Sequence, residues 1–221
     1  MAMQQNQLQR DMEILKKNLA HVGKLALTEL SKSIQALSDR NVNMSDEVEK
    51  IDSALDASEV KLEQLCLSVL ARHQPVAQDL RYLTSVLKIN QLIENTGDTA
   101  GRIAKRAEYL AQRPPLLVDF DINSMARRVV MMFDHSLKAF LGLDRGVSRD
   151  VIEMDEEVDR KYRKYTDALV AYIEANPEQT EEAVQLMNIV RHLERGADRA
   201  VDIAEQVVYI LTGDIMRHSG N

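Results

Sequence analysis

The sequence predicts an all-α protein built as two tandem antiparallel three-helix bundles related by an internal repeat. Three observations carry this. Good helix formers (Leu, Ala, Glu, Arg, Gln and Met) dominate, whereas only 8 Gly and 4 Pro are present and aromatics make up 4% with no Trp. Apolar residues recur at the helical period in six stretches separated by short polar breaks. One stretch also occurs twice, 100 residues apart: Glu94, Asp98, Ala100, Ile103 and Ala104 match Glu194, Asp198, Ala200, Ile203 and Ala204. A repeat of that period means two copies of one unit.

The first helix is expected over about 4–37, where Leu15, Leu19, Val22, Ala26, Leu30 and Ile34 keep the period. Asp39, Arg40 and Asn41 break it. Ser45 is the expected N-cap of a second helix over 46–72, and Asp46 and Glu47 suit its positive end. Pro75 is expected as the first residue of a third helix, which reaches about Gln112 and stops at Arg113-Pro114-Pro115. Residues 114–120 then link the copies, dividing the chain into units 1–113 and 121–213. A fourth helix runs from about Asp121 to Leu143, and Asp144-Arg145-Gly146 breaks it. Ser148 is the expected cap of the fifth, which ends near Ala175. Asn176, Pro177 and Gln179 read as a cap, a first-turn proline and a capping box for the sixth. That helix ends at Gly213. Long helices with short connections pack as up-down-up bundles.

Charge and cysteine content narrow the function. The net charge is −7, from 28 Lys and Arg against 35 Asp and Glu, and no basic patch of a nucleic-acid binder stands out. The lone Cys66 has no disulfide partner and reads as a small buried hydrophobe on a helix. The opening has no signal-peptide pattern, and no apolar run reaches the ~18 residues of a membrane span. The expectation is a soluble, cytoplasmic protein. The five histidines do not pair at ligand spacing and read as surface or boundary residues.

Chemistry is concentrated in four acidic rows. Asp52 and Asp56 lie four apart on the second helix, and Asp155 and Asp159 on the fifth. Glu94 and Asp98 lie four apart on the third, and Glu194, Asp198 and Asp202 continue one row on the sixth. Residues at this spacing stack on one helix face, where like charges repel. The sixth-helix row begins with Leu186 and Val190, so it borders the packed side, and Gly97, Ala100, Gly101, Gly196, Ala197 and Ala200 beside the rows let a neighbouring helix approach. Carboxylates at such a contact suffer desolvation and mutual repulsion, which a multivalent cation relieves. Carboxylates without Cys or His select hard cations: magnesium, calcium, manganese or iron. These nine residues are the candidate metal ligands. The competing reading is a solvated face with ion pairs to Arg102, Arg106, Arg191, Arg195 and Arg199.

Gln74-Pro75-Val76-Ala77-Gln78-Asp79-Leu80-Arg81, followed by Glu94-x-x-x-Asp98 and again by Glu194-x-x-x-Asp198, resembles the PhoU family of phosphate-uptake regulators over essentially the whole chain. The resemblance implies side-by-side three-helix bundles with iron, magnesium or manganese, in multinuclear sites, at the acidic motifs. It implies a non-enzymatic negative regulator of phosphate uptake and of the phosphate-starvation response. The implied partners are the phosphate ABC transporter ATPase and the phosphate-sensing histidine kinase, which hold the protein peripheral to the membrane, and a second copy in a homodimer. Arg72, Asp79 and Arg81 are expected to contact partners or to fix the turn. One departure is visible: Arg102 stands where the second copy has Asp202, so tighter metal binding is expected in the second bundle. Two other readings stay open, a carboxylate-bridged di-iron enzyme and a structural bundle without metal. The former usually needs Glu-x-x-His on two helices, a motif the sequence lacks.

Overall fold

A computed structural model describes residues 2–214, with side chains from Asn6 onward. The described residues form six α-helices: α1 (Ala2–Asp39), α2 (Ser45–His73), α3 (Ala77–Ala111), α4 (Ile122–Gly142), α5 (Arg145–Ala175) and α6 (Thr180–Thr212). No strand occurs among them. Helices α1, α2 and α3 pack on one another, as do α4, α5 and α6, and the two bundles meet through α3 on α6 and α1 on α4. The apolar stripes merge into one continuous core that runs through both bundles, from Leu15 and Leu19 through Ile89 and Ile93 to Phe133, Phe140 and Ile203. Full burial of each such side chain contributes ~1.5–3 kcal/mol.

The seam between bundles is fastened along its length. Arg81, near the start of α3, donates from Nε to the Ile210 carbonyl near the end of α6 at 3.1 Å. Arg113, just past α3, reaches Glu182 in the first turn of α6 at 3.4 Å. The two helices are therefore antiparallel. Tyr82 stacks on Phe140 of the other bundle with ring centroids 5.3 Å apart.

Several helix ends differ from the sequence expectation. Ser45 is the first residue of α2 rather than its cap; the chain enters through Met44 in a helical conformation with no side-chain cap. Pro75 precedes α3 instead of opening it. Gln74 and Ala77 adopt left-handed backbone on either side of extended Val76, so the turn consumes two more residues before the helix settles. Asp144 caps α5, accepting from the Gly146 and Val147 amides at 2.8 and 3.1 Å, and Ser148 is buried one turn in, donating to the Asp144 carbonyl. The earlier carboxylate reaches the free amides first. Asn176 does not cap α6: its amide turns back to the Tyr172 carbonyl at 2.9 Å, while the Tyr172 hydroxyl donates to Gln179. Pro177–Gln179 instead forms a 3₁₀ turn leading into α6. Asp121 does cap α4, accepting from the Ser124 amide at 3.1 Å, and Gly213 ends α6 with a φ of 84°.

Arg72 and Arg81 both make contacts within the chain. Arg72 joins His73 on the buried carboxylate of Asp11, at 3.3 and 2.8 Å, tying the end of α2 to the start of α1. Asp79 is exposed in the first turn of α3.

Candidate functional site

Helices α2 and α3 bring two acidic rows near one another at the edge of the core, with Asp52 and Glu94 partly buried and Asp56 and Asp98 exposed. Asp52 is held above the usual aspartate range by burial, then by Asp56 and Asp98. Glu94 is raised by burial, then by Asp98, Asp56, Glu59 and Asp52. The rows therefore feel one another across the helix pair. An open cleft of about 590 Å³ lies beside them, lined by Asp56, Glu59, Glu63, Gln91 and Glu94. Asn90 fixes Glu59 there, donating to its side chain and its backbone carbonyl at 2.9 Å.

A fifth carboxylate arrives from α1. Glu29 is 0% exposed, and neither of its oxygens has a hydrogen-bond partner. Burial, followed by Asp52, Asp56 and Asp98, pushes its pKa from 4.5 up to about 8, so the group keeps its proton at neutral pH. Gly97 makes room for it. A Cβ on Gly97 would stand 2.8 Å from Glu29 Oε2 and 2.3 Å from Leu55 Cδ2. The sequence reading passed over Glu29. The signal was available, since Glu29 falls within the stripe of Val22, Ala26, Leu30 and Ser33, all of which are buried.

The second bundle repeats the rows without this extra group. Burial, then Asp159, Asp198 and Glu194, raises Asp155 to about 6, and its Oδ1 is buried without a partner. Glu194 and Asp198 are raised by burial and by their acidic neighbours, Asp202 among those acting on Asp198. Ser33 in α1 and Ser136 in α4 make the same bond, each to the carbonyl three residues back, at 2.8 and 2.9 Å. That register places Met132, fully buried, where the first bundle has Glu29.

Chemically, the donor set suits a hard cation. The carboxylates disfavour one another, and Glu29 and Asp155 hold oxygens that nothing else satisfies. As the side chains stand, no three His, Cys, Asp or Glu of the described residues are gathered closely enough to hold a metal ion. Arginine takes part of the counter-charge: Arg102 pairs with Asp98 at 2.8 Å, both ends about half exposed.

Two other residues find their places. Cys66 is fully buried, donates to the Leu83 carbonyl at 3.3 Å, and has its thiol pushed up to about 12 by burial, which makes it inert. His192, expected at a surface or boundary, is instead 8% exposed, with both ring nitrogens buried and unpartnered. It lies on α6 where that helix meets α3, so its burial depends on a contact between the two copies.

The sequence matches the PhoU domain twice, over residues 19–107 and 122–207. A phosphate-specific transport system accessory protein PhoU homolog of Aquifex aeolicus is 35% identical over 209 residues, covering 95% of each chain. A homolog of the same description from Pseudomonas aeruginosa is 29% identical, covering 97% of this chain and 89% of that one. The crystal structure of PhoU from Pseudomonas aeruginosa superposes with a TM-score of 0.90 at 28% identity, over 93% of this chain and 99% of the other. The regulatory protein PhoU from Streptococcus pneumoniae gives 0.86 at 25% identity, over 95% and 99%.

Proposed function

Because the chain belongs to the PhoU domain family, we propose that it is an accessory protein of a phosphate-specific transport system, acting as a non-enzymatic negative regulator of phosphate uptake and of the phosphate-starvation response. The observation that carries this is the near full-length likeness to the Aquifex aeolicus protein of that description, 35% identical over 95% of both chains. The partners are the ATPase of the phosphate transporter and a phosphate-sensing histidine kinase, and the protein works in the cytoplasm as a homodimer. No helix among the described residues is long and apolar enough to cross a membrane.

Metal belongs to this reading. Asp52, Asp56, Glu94 and Asp98, with Glu29, hold a hard cation in the first bundle; Asp155, Asp159, Glu194, Asp198 and Asp202 hold one in the second. The orphaned oxygens of Glu29 and Asp155 support this assignment. A bound cation supplies positive charge between rows that otherwise repel. With that charge neutralised, the carboxylates of α2 and α3, and those of α5 and α6, would no longer oppose close packing of the two helices of each pair.

Deleting the gene tests the regulatory role. Starvation genes should be derepressed in phosphate-rich medium and cellular phosphate should rise. Unchanged phosphate content and unchanged expression would refute it. Elemental analysis of protein purified without chelator tests the metal assignment separately.

A further inference from the structure

The two copies of the repeat differ along the α3–α6 seam, and the differences fall on one side. Thr99 and Arg199 hold equivalent places in the two copies, and they touch: Arg199 Nη1 donates to Thr99 Oγ1 at 2.7 Å. The approximate two-fold relating the bundles therefore passes close to this contact and divides the antiparallel seam into halves. One half carries Arg102, Arg106, His192 and Arg195. The equivalent places in the other half carry Asp202, Gln206, Leu92 and Asn95. All four departures put a guanidinium or an imidazole on the same side.

That side has unmet donors. His192 is buried with neither ring nitrogen paired, and Arg106 Nε is also buried without a partner. Arg106 is steadied by its Nη1, which donates to the Arg102 carbonyl at 3.2 Å. Four guanidiniums surround the imidazole. They belong to Arg106, Arg102, Arg195 and Arg199. Arg195 and Arg102 also act on Arg199, so these cations crowd one another. Asp98 and Asp198 relieve Arg199 only in part. Arg102 and Arg195 are exposed at the rim, which leaves the cluster open to solvent. Crowded guanidiniums around buried N–H groups match the charge and acceptor number of a tetrahedral oxyanion.

We propose that this half of the seam binds a phosphate-class oxyanion, with Arg106, Arg195 and His192 donating to it and Arg102 and Arg199 completing the positive field. The ligand is either free orthophosphate or the phosphate of a larger ester; both offer the same chemistry. The acidic rows supply no ligand to this site, although Asp98 pairs with Arg102 at its edge.

The test is calorimetric titration of orthophosphate, pyrophosphate and ATP into the full chain after chelator treatment, in phosphate-free buffer, with sodium chloride at matched ionic strength as control. Chelation removes any anion binding through a metal. Arg106→Gln and Arg195→Asn give each position the residue its counterpart carries. Saturable binding to the native chain, weakened about ten-fold or more by each substitution with the helical circular dichroism unchanged, supports the site. Tighter binding of orthophosphate than of ATP supports it with the free ion as ligand, and the reverse order supports it with an ester as ligand. The His192 ring nitrogen resonances should move as the native chain is titrated, a readout that needs no variant. Failure of all three anions to saturate, heats matched by chloride, affinities untouched by both substitutions, or unmoved His192 resonances would each overturn it.

Discussion

The first bundle buries an acid where the second buries a thioether. Glu29 and Met132 occupy the same place in the repeat, and both are fully enclosed. Around Met132 the acidic rows of α5 and α6 stay at the rim of an apolar interior. Around Glu29 the interior itself carries a carboxyl, and Gly97 stands bare where the second copy has Ala197. One methyl in the second bundle corresponds to an oxygen in the first. Two sequences that fold alike thus hold acid at different depths, and depth decides how strongly each bundle feels pH and cations.

Four measurements bear on that difference, the largest effect first. In chelator, the contribution of Glu29 to stability should fall as pH rises through the interval between the ordinary glutamate value of 4.5 and about 8, whereas His192, held neutral down to about pH 4, acts with the opposite sign below its ordinary 6.5. Below that interval both folded and unfolded chains hold the Glu29 proton, so nothing is lost. Within it the unfolded chain releases the proton and the folded chain keeps it, which costs roughly 3–5 kcal/mol in total before levelling off above the interval. Asp155 acts with the same sign but its loss is complete by about pH 6. Urea midpoints should therefore show Glu29→Gln removing its slope above pH 6 and only part of the slope between 4.5 and 6, where Asp155 still acts. A native-like slope in the variant above pH 6 would place the titrating group elsewhere.

Glycine substitutions come next. A methyl on Gly97 meets Leu55 and Glu29 head-on and should destabilise by ~1–3 kcal/mol, with the loss seen in thermal or urea unfolding. At Gly101 the nearest atom is 3.9 Å away, so Gly101→Ala should be neutral or slightly stabilising. Equal losses at the two sites would mean that α3 shifts freely to accommodate either.

For the cation sites proposed above, Arg102 alone ranks the second bundle tighter, whereas Glu29 would add a ligand to the first. On that proposal Glu29 is a buried direct donor and Arg102 an exposed neighbour, so we expect Asp98→Ala to weaken binding more than Asp198→Ala, by about ten-fold or more. Manganese titration followed by paramagnetic relaxation reads both variants, and Glu29→Gln should lower occupancy of the first bundle alone. The smallest effect belongs to the Arg102–Asp98 pair. With both ends about half exposed, Arg102→Ala should change folding stability by no more than ~0.5 kcal/mol. A larger loss in denaturant unfolding would show the pair to be structural.

The six helices, their order and the two copies were legible because periodicity and repetition are properties of the chain itself. Helix spacing placed each acidic row on one face of its own helix, but that the row of Asp52 and Asp56 lies near Glu94 and Asp98 is set by how α2 packs on α3. Glu29 was harder: its place in the buried stripe of α1 is legible from the period, but that acids of α2 and α3 gather around it is set by packing. His192 was beyond local reading altogether, since its burial comes from α3, which lies far away in sequence. The misplaced caps have another cause. Ser45, Ser148 and Asn176 all favour helix starts, but Asp144 lies nearer the open amides of α5, and the Asn176 amide is taken by the Tyr172 carbonyl.

The contact between Thr99 and Arg199 has a consequence for ancestry. In a dimer of two identical single bundles, the residue on the two-fold would face its own copy. Arginine there would meet arginine, and threonine would meet threonine. An arginine facing a threonine requires two halves whose sequences differ at this position. This hydrogen bond therefore belongs to a diverged pair and to no symmetric forerunner.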